Sequence, residues 1–138
     1  MRITTKGRYA LRAVIALAET SENKTPVSIK TIAAKEEISP EFLEQIFFKL
    51  RKAGFISSVR GPGGGFFFSR PLSEITLCDI IEASGEGFSV GDCSCGKKGS
   101  CDEADRCSAG KIWREMDLRL REYAESKTLE DILKDSQN

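Results

Sequence analysis

A run of glycine and proline in the middle of the chain constrains the fold more than any other feature. Residues 60–65 read Arg-Gly-Pro-Gly-Gly-Gly, and they lie between segments 55–59 and 66–68, which are rich in apolar and β-branched residues. Glycine is too flexible to favour a helix or strand, and proline lacks a backbone donor. The pattern therefore predicts a β-hairpin whose tip lets backbone amides approach another surface closely.

Two short helices are predicted just before this hairpin. Ser28 can N-cap a helix that runs to about residue 37, and Ser39 followed by Pro40 is a favourable start for the next one. Gly54 is suited to end that helix in a left-handed conformation. An amphipathic helix over residues 7–20 precedes both. The apolar positions of the three helices are Leu11, Val14, Ile15 and Ala18, then Ile29, Ile32 and Ala33, then Leu43, Ile46, Phe47 and Leu50.

This order of elements predicts a helix-turn-helix followed by a wing. The second short helix is the candidate reader of a DNA major groove, and the hairpin would lie along the sugar-phosphate backbone or in a minor groove. A nucleotide-binding loop is excluded, because no Gly-Lys-Ser/Thr ends the glycine run and no helix is predicted directly after it. A flexible turn without function is the alternative that a lone glycine run would favour.

The charge distribution supports a nucleic-acid partner. The chain has 138 residues, with 21 basic and 21 acidic side chains and a formal net charge of zero. Residues 1–70 nevertheless carry 12 bases and six acids, so the two halves have balances of +6 and −6. Four of the bases and no acid lie in the first 12 residues. Such asymmetry is typical of contact with a polyanion through one end of a molecule, although a solvated charged face is the simpler alternative.

Several classes of protein are excluded by what the chain lacks. It contains no histidine, which removes the commonest general base and the imidazole metal ligand. Neither a paired acid and base nor a nucleophile emerges, so we expect no enzyme and no small-molecule substrate. The longest aliphatic stretch, residues 13–18, is too short to span a bilayer, and no secretory signal is recognised. We therefore expect a cytoplasmic protein without membrane contact.

The C-terminal third is predicted to dimerise. Thr76 and Asp79 form a capping-box pattern for a short helix, and residues 85–110 then read as a long glycine-rich loop. From Lys111 onward, apolar residues repeat at a 3-4-3 spacing that is typical of a short coiled-coil seam: Trp113, Met116, Leu120 and Tyr123. Packing of this helix within its own chain is the alternative.

Four of the five cysteines lie in the long loop, at Cys93, Cys95, Cys101 and Cys107. Reduced thiolates on a glycine-rich loop favour a soft metal centre such as an iron–sulfur cluster. The paired C-x-x-C spacing of structural zinc sites is missing, which makes zinc the weaker alternative. Disulfides, the other alternative, fit a secreted protein better. Cys78 stands apart from the loop and is interpreted as a small buried hydrophobic residue.

These features together resemble one known family. The matching segments are residues 1–10, 42–47, 50–54 and 57–65, together with the three cysteines spaced six apart before Trp113. Over nearly the whole chain, to about Leu133, the sequence is similar to the IscR-like iron–sulfur cluster regulators of the Rrf-type winged helix-turn-helix superfamily. The resemblance implies a homodimeric repressor or activator that binds a palindromic operator in double-stranded DNA and changes its DNA preference when a cluster occupies the cysteine loop.

In those regulators a [2Fe-2S] cluster is held by three cysteines and a histidine three residues after the last. This chain has Gly110 at that position. A related nitric-oxide-sensing branch holds a [4Fe-4S] cluster with an aspartate near the start of the first helix, where this chain has Arg8. We therefore expect a cluster on the cysteines, with [2Fe-2S] favoured over [4Fe-4S] and a different fourth ligand. The expected ligands are Cys95, Cys101 and Cys107, with a fourth from Cys93, from a carboxylate such as Asp92, Asp102 or Asp105, or from the partner subunit.

The expected DNA contacts follow from the helix-turn-helix, the wing and the resemblance. Glutamate and glutamine on the reading helix can contact base edges, and Glu44 matches the family glutamate that helps to discriminate operator classes. The full expected set is Arg2, Lys6, Ser39, Glu41, Glu44, Gln45, Lys49, Arg60, Gly61, Pro62, Gly63 and Gly64.

The predicted fold is mainly α with a small β-hairpin. Residues 1–84 form the winged helix-turn-helix domain, 85–110 the cluster-binding loop, and 111–138 the dimerisation helix with a C-terminal segment. The predicted function is cluster-dependent control of transcription, mostly repression, of iron–sulfur cluster biogenesis or related stress genes. The alternatives are a nitric-oxide, thiol or zinc-responsive regulator of the same superfamily, and an iron–sulfur carrier.

Overall fold

The computed structural model describes residues 3–21, 25–88 and 107–137. Within these ranges the fold is mostly helical with one antiparallel hairpin, as predicted, and no helix there is long and apolar enough to cross a membrane. The elements are α1 (Thr5–Thr20), α2 (Ile29–Glu36), α3 (Pro40–Lys52), β1 (Ile56–Val59), β2 (Gly65–Phe68), a short 3-10 helix (Leu72–Glu74), α4 (Leu77–Ala83), α5 (Ser108–Ser126) and α6 (Leu129–Ser136).

Helix α1 is the centre of the core. Its most deeply buried face contains three alanines, and these small side chains let α2, α3 and α4 pack closely against it. The predicted positions Leu11, Ile15 and Ala18 flank that face and are partly buried. The buried positions along α1 are Gly7, Ala10, Ala13, Val14, Ala16 and Leu17.

Both helices of the predicted helix-turn-helix are present with the expected caps. The Ser28 hydroxyl accepts a hydrogen bond from the Thr31 amide at 3.2 Å, and the Ser39 hydroxyl accepts one from the Phe42 amide, also at 3.2 Å. Glu37 adopts a left-handed conformation with φ 54°, which ends α2 and turns the chain towards α3. Ile38 in this turn is buried and fastens it to the core.

The predicted hairpin is present and is anchored at its base. Ile56 pairs with Phe68 and Val59 with Gly65, so residues 60–64 form the tip. Phe66 also exchanges backbone hydrogen bonds with Val27, at 2.8 and 2.9 Å, which joins the second strand to the segment before α2. The wing is therefore held against the helix-turn-helix.

The capping box of α4 is confirmed, since Thr76 and Asp79 bond to each other's backbone amides at 3.0 and 3.1 Å. Helix α5 packs on α4. Sequence reasoning missed α6, whose Leu129 is completely buried and whose start is tied to Ile75 by a 2.7 Å backbone hydrogen bond. The segment after α5 thus returns to the main domain.

Candidate DNA-binding face and cysteine segment

The exposed side of α3 carries the candidate base-reading residues. Leu43, Ile46, Phe47 and Leu50 are buried, so the opposite side of the helix faces solvent. We call Glu41, Glu44, Gln45 and Phe48 the reading face; these four residues and Lys49 line one open groove.

Phe48 is the member of this face that sequence reasoning missed. Its side chain is 58% exposed, although it directly follows the completely buried Phe47. A pair of phenylalanines is readily interpreted as core. The signal that could have found it is its spacing: Phe48 lies seven residues after Glu41 and four after Glu44, so a helical period places it on the polar side.

Basic side chains surround the reading face. Lys6 of α1 lines a narrow cleft together with Gln45 and Lys49, so the start of α1 lies beside the reading helix. Lys49 also donates a hydrogen bond to the Ser84 carbonyl, at 3.4 Å, just after α4. Ser39 is exposed at the N-terminus of α3, where backbone amides favour a phosphate. Arg2 lies outside the described residues.

The wing tip has a defined backbone shape. Arg60, Gly61, Pro62 and Gly63 are exposed, and the Gly64 amide closes the turn by donating to the Gly61 carbonyl at 2.9 Å. A Cβ atom on Gly64 would lie 2.3 Å from the Val59 carbonyl oxygen. The glycine at that position is therefore a steric requirement of the tight turn, and the tip presents backbone with little side-chain bulk.

The structure describes one of the four loop cysteines, Cys107. The other three, Cys93, Cys95 and Cys101, lie outside the described residues. Cys107 is exposed and immediately precedes α5, whose first turn has no acidic residue. This end of a long helix favours negative charge such as that of a thiolate. Gly110, at the position where the resembling regulators have histidine, is buried in the first turn of α5 and offers no ligand side chain. Within the ranges described, no group of three metal-binding side chains occurs.

A polar contact fastens α5 to α4. Arg121 pairs with Glu82 at 2.7 Å, and this hydrogen bond raises the pKa of Arg121. The guanidinium also lies 3.7 Å from the sulfur of Cys78. Cys78 is 4% exposed, and burial, aided by Glu82, raises the pKa of its thiol. The prediction that Cys78 is buried is confirmed.

The other side of α5 is apolar and exposed. Of the predicted seam, Trp113, Met116 and Tyr123 are 39%, 43% and 58% exposed, and the neighbouring Ile112 is 56% exposed. Leu120 is half-buried and lines a shallow groove with Ile112 and Met116. In this single chain the seam is therefore not packed into the core.

Known proteins resemble the chain over most of its length. Residues 3–135 match the family model Rrf2, described as an iron-dependent transcriptional regulator. The HTH-type transcriptional regulator IscR of Xenorhabdus nematophila is 39% identical over 137 residues, which cover 99% of this chain and 82% of that protein. The solved structure of CymR, the global cysteine regulator of B. subtilis, has a TM-score of 0.78 at 32% identity, with 97% of each chain covered. That of T. potens IscR has a TM-score of 0.76 at 31% identity and covers 99% of this chain and 88% of its own.

Proposed function

Because this chain belongs to the Rrf2 family of iron-dependent transcriptional regulators, we propose that it controls transcription as a homodimer on palindromic operator DNA, in response to an iron–sulfur cluster. Winged-helix transcriptional regulation is common to its relatives. The observation that carries the proposal is the position of α4, which packs against α5 and also touches the reading helix.

The reading face and the wing provide complementary DNA contacts. Glu44 can accept from cytosine and Gln45 can pair with adenine in the major groove, whereas Arg60 and the glycine tip contact sugar-phosphate or the minor groove. Lys6, Lys49 and Arg2 add positive charge that attracts the polyanion, and Ser39 binds a phosphate. Two such surfaces in a dimer would lie about 34 Å apart, or a multiple of that distance, to read a palindrome.

The exposed seam of α5 supports the homodimer. An apolar stripe along one helix is costly to leave in water, and the same stripe on a second copy covers it with two-fold symmetry. Pairing of the α5 helices would also place the cysteine segment of each chain (residues 93–107) next to one end of the dimer interface, because Cys107 immediately precedes α5.

The donor set fits an iron–sulfur cluster. Thiolates are the ligands that iron–sulfur clusters prefer, and Cys95, Cys101 and Cys107 would hold it. A bound cluster would supply redox and oxygen sensitivity. Since Gly110 has no side chain, the fourth ligand comes from Cys93, from Asp92, Asp102 or Asp105, or from the partner subunit. A [2Fe-2S] cluster is favoured over a [4Fe-4S] cluster.

Two contacts provide a route from the cysteine segment to the DNA-binding face. Lys49 of α3 donates to the Ser84 carbonyl, and the Thr4 hydroxyl before α1 donates to the Glu86 carboxylate. Both acceptors lie between α4 and the cysteine segment. A change in that segment would therefore alter the position of the reading helix and of the basic start of α1.

Metal and sulfide analysis of protein purified without oxygen tests the proposal. Wild type and Cys78→Ala are expected to contain iron and acid-labile sulfide with visible absorbance, whereas Cys101→Ala and Cys107→Ala lose both and still fold. Cys78→Ala is the matched control, because it removes a cysteine outside the loop. Equal iron and sulfide in all four proteins would overturn the assignment of ligands.

A second candidate is a thiol- or zinc-responsive regulator of the same fold. The similarity to a global cysteine regulator at a TM-score of 0.78 favours it, as does the missing histidine. It predicts zinc without sulfide, or metal-free protein whose operator affinity changes on oxidation of the loop cysteines.

A further inference from the structure

We propose that Phe48 reads a thymine methyl group in the major groove and so determines part of the operator sequence; this rests on the operator binding proposed above. Among the described residues of α2, α3 and the turn between them, Phe48 is the exposed large apolar side chain. An exposed phenyl ring in a basic, polar surface costs free energy unless a partner covers it.

Whenever the other members of the reading face contact base edges, the position of Phe48 brings its ring against base edges as well. It shares the open groove with Glu44 and Gln45. Phe48 lies three positions after Gln45, which corresponds to about 4.5 Å along a helix axis. That distance is slightly more than the ~3.4 Å rise of one base pair. Phe48 therefore addresses a base next to the one that Gln45 contacts.

The ring is also held in place. The Arg51 guanidinium lies 5.8 Å from the centre of the Phe48 ring and donates a hydrogen bond at 3.1 Å to the Ser58 hydroxyl in β1. Arg51 thus links Phe48 to the wing and limits the motion of the ring. A fixed side chain loses less conformational entropy on binding, which favours a contact of defined geometry.

The chemistry of the DNA major groove identifies the group that the ring contacts. Phosphates and most base edges in the major groove are polar, and a phenyl ring gains little from them. The thymine C5-methyl group is the apolar feature of the major groove, and apolar side chains contact it. Phe48 accordingly selects thymine over cytosine at one position in each half-site.

The test uses deoxyuridine, which lacks the methyl group and keeps the hydrogen-bonding edges of thymine. Wild-type protein first enriches operators from a random duplex library. Each thymine of one half-site is then replaced by deoxyuridine, and affinities are measured for wild type, Phe48→Leu and Phe48→Ala. One replacement is expected to weaken wild-type binding about fourfold, which corresponds to the burial of one methyl group at ~0.8 kcal/mol.

The two protein variants make the test specific. Phe48→Ala is expected to bind the thymine and deoxyuridine operators equally, whereas Phe48→Leu retains part of the preference. Because Phe48 is exposed, both variants should melt at the wild-type temperature. The role of Phe48 is overturned if no replacement weakens the binding of wild type, or if the replacements weaken Phe48→Ala as much as wild type. Either result leaves operator binding intact. A library that yields no enriched sequence overturns operator binding and this inference together.

Discussion

At the scale of single residues, local chemistry explains which positions of the wing admit no substitution. Gly65 begins β2 where the hairpin meets the segment before α2, and a Cβ atom there would lie 2.3 Å from the carbonyl carbon and oxygen of Val27. Backbone atoms cannot move aside as a flexible side chain can. The glycine run therefore combines two roles, a tip that we propose approaches DNA and a base that is fixed to the domain.

Gly65→Ala is expected to destabilise the protein by roughly 2 kcal/mol, the order of an overpacked core position, because it separates the wing from Val27. The matched control is Gly87→Ala, since a Cβ atom on Gly87 meets nothing within 4 Å. Thermal or urea unfolding measures both. A Gly65→Ala variant as stable as Gly87→Ala would contradict the steric role of Gly65.

At the scale of elements, the sequence predicted the helix starts that local interactions determine. Ser39 with Pro40 and Thr76 with Asp79 begin helices in the structure, because a cap needs only residues within one turn. Helix α6 carries the same signal in Thr128 and Asp131, yet it was missed. Its stability depends on burial of Leu129 in the main core, a tertiary contact that no local pattern reveals. Phe48 was absent from the expected DNA contacts, because glutamate and glutamine were the residues of this helix expected to contact base edges.

The cap of α6 makes part of the stability depend on pH. Hydrogen bonds from the backbone and the side chain of Thr128 lower the pKa of Asp131 below its usual 3.8. The stabilisation is therefore complete above the usual pKa and is lost as the pH falls through the lowered one. Asp131→Asn is expected to be less stable than wild type at pH 7, with the difference shrinking as the pH falls below 3.8 towards the lowered pKa of Asp131.

Urea unfolding from pH 7 to pH 3 measures this difference. Asp135→Asn is the matched control, because Asp135 belongs to the same helix and pairs with Lys127 at the surface, at 3.7 Å. A difference between wild type and Asp131→Asn that stays constant with pH would show that the carboxylate does not cap α6.

At the scale of the whole molecule, the division of charge matches the division of surfaces. The basic half of the chain contains the reading helix and the wing, and the acidic half contains the cysteine segment and α5. The zero net charge is therefore the sum of a face suited to DNA and a half that repels it. In the proposed complex such a molecule meets DNA in one orientation, which leaves the α5 seam free to pair with a second copy.

Met116→Glu is expected to convert the proposed dimer into a monomer, because it places a carboxylate at the middle of the apolar seam of α5 that the second copy would cover. Leu118→Glu is the matched control: Leu118 is 61% exposed, but two residues along a helix point it away from Met116. Light scattering after size exclusion reports the mass. The affinity for a palindrome should also fall at least tenfold in Met116→Glu alone, since a monomer contacts only one half-site. If both variants keep the wild-type mass, α5 does not form the dimer interface. If both become monomers, the interface surrounds α5 more widely than the seam.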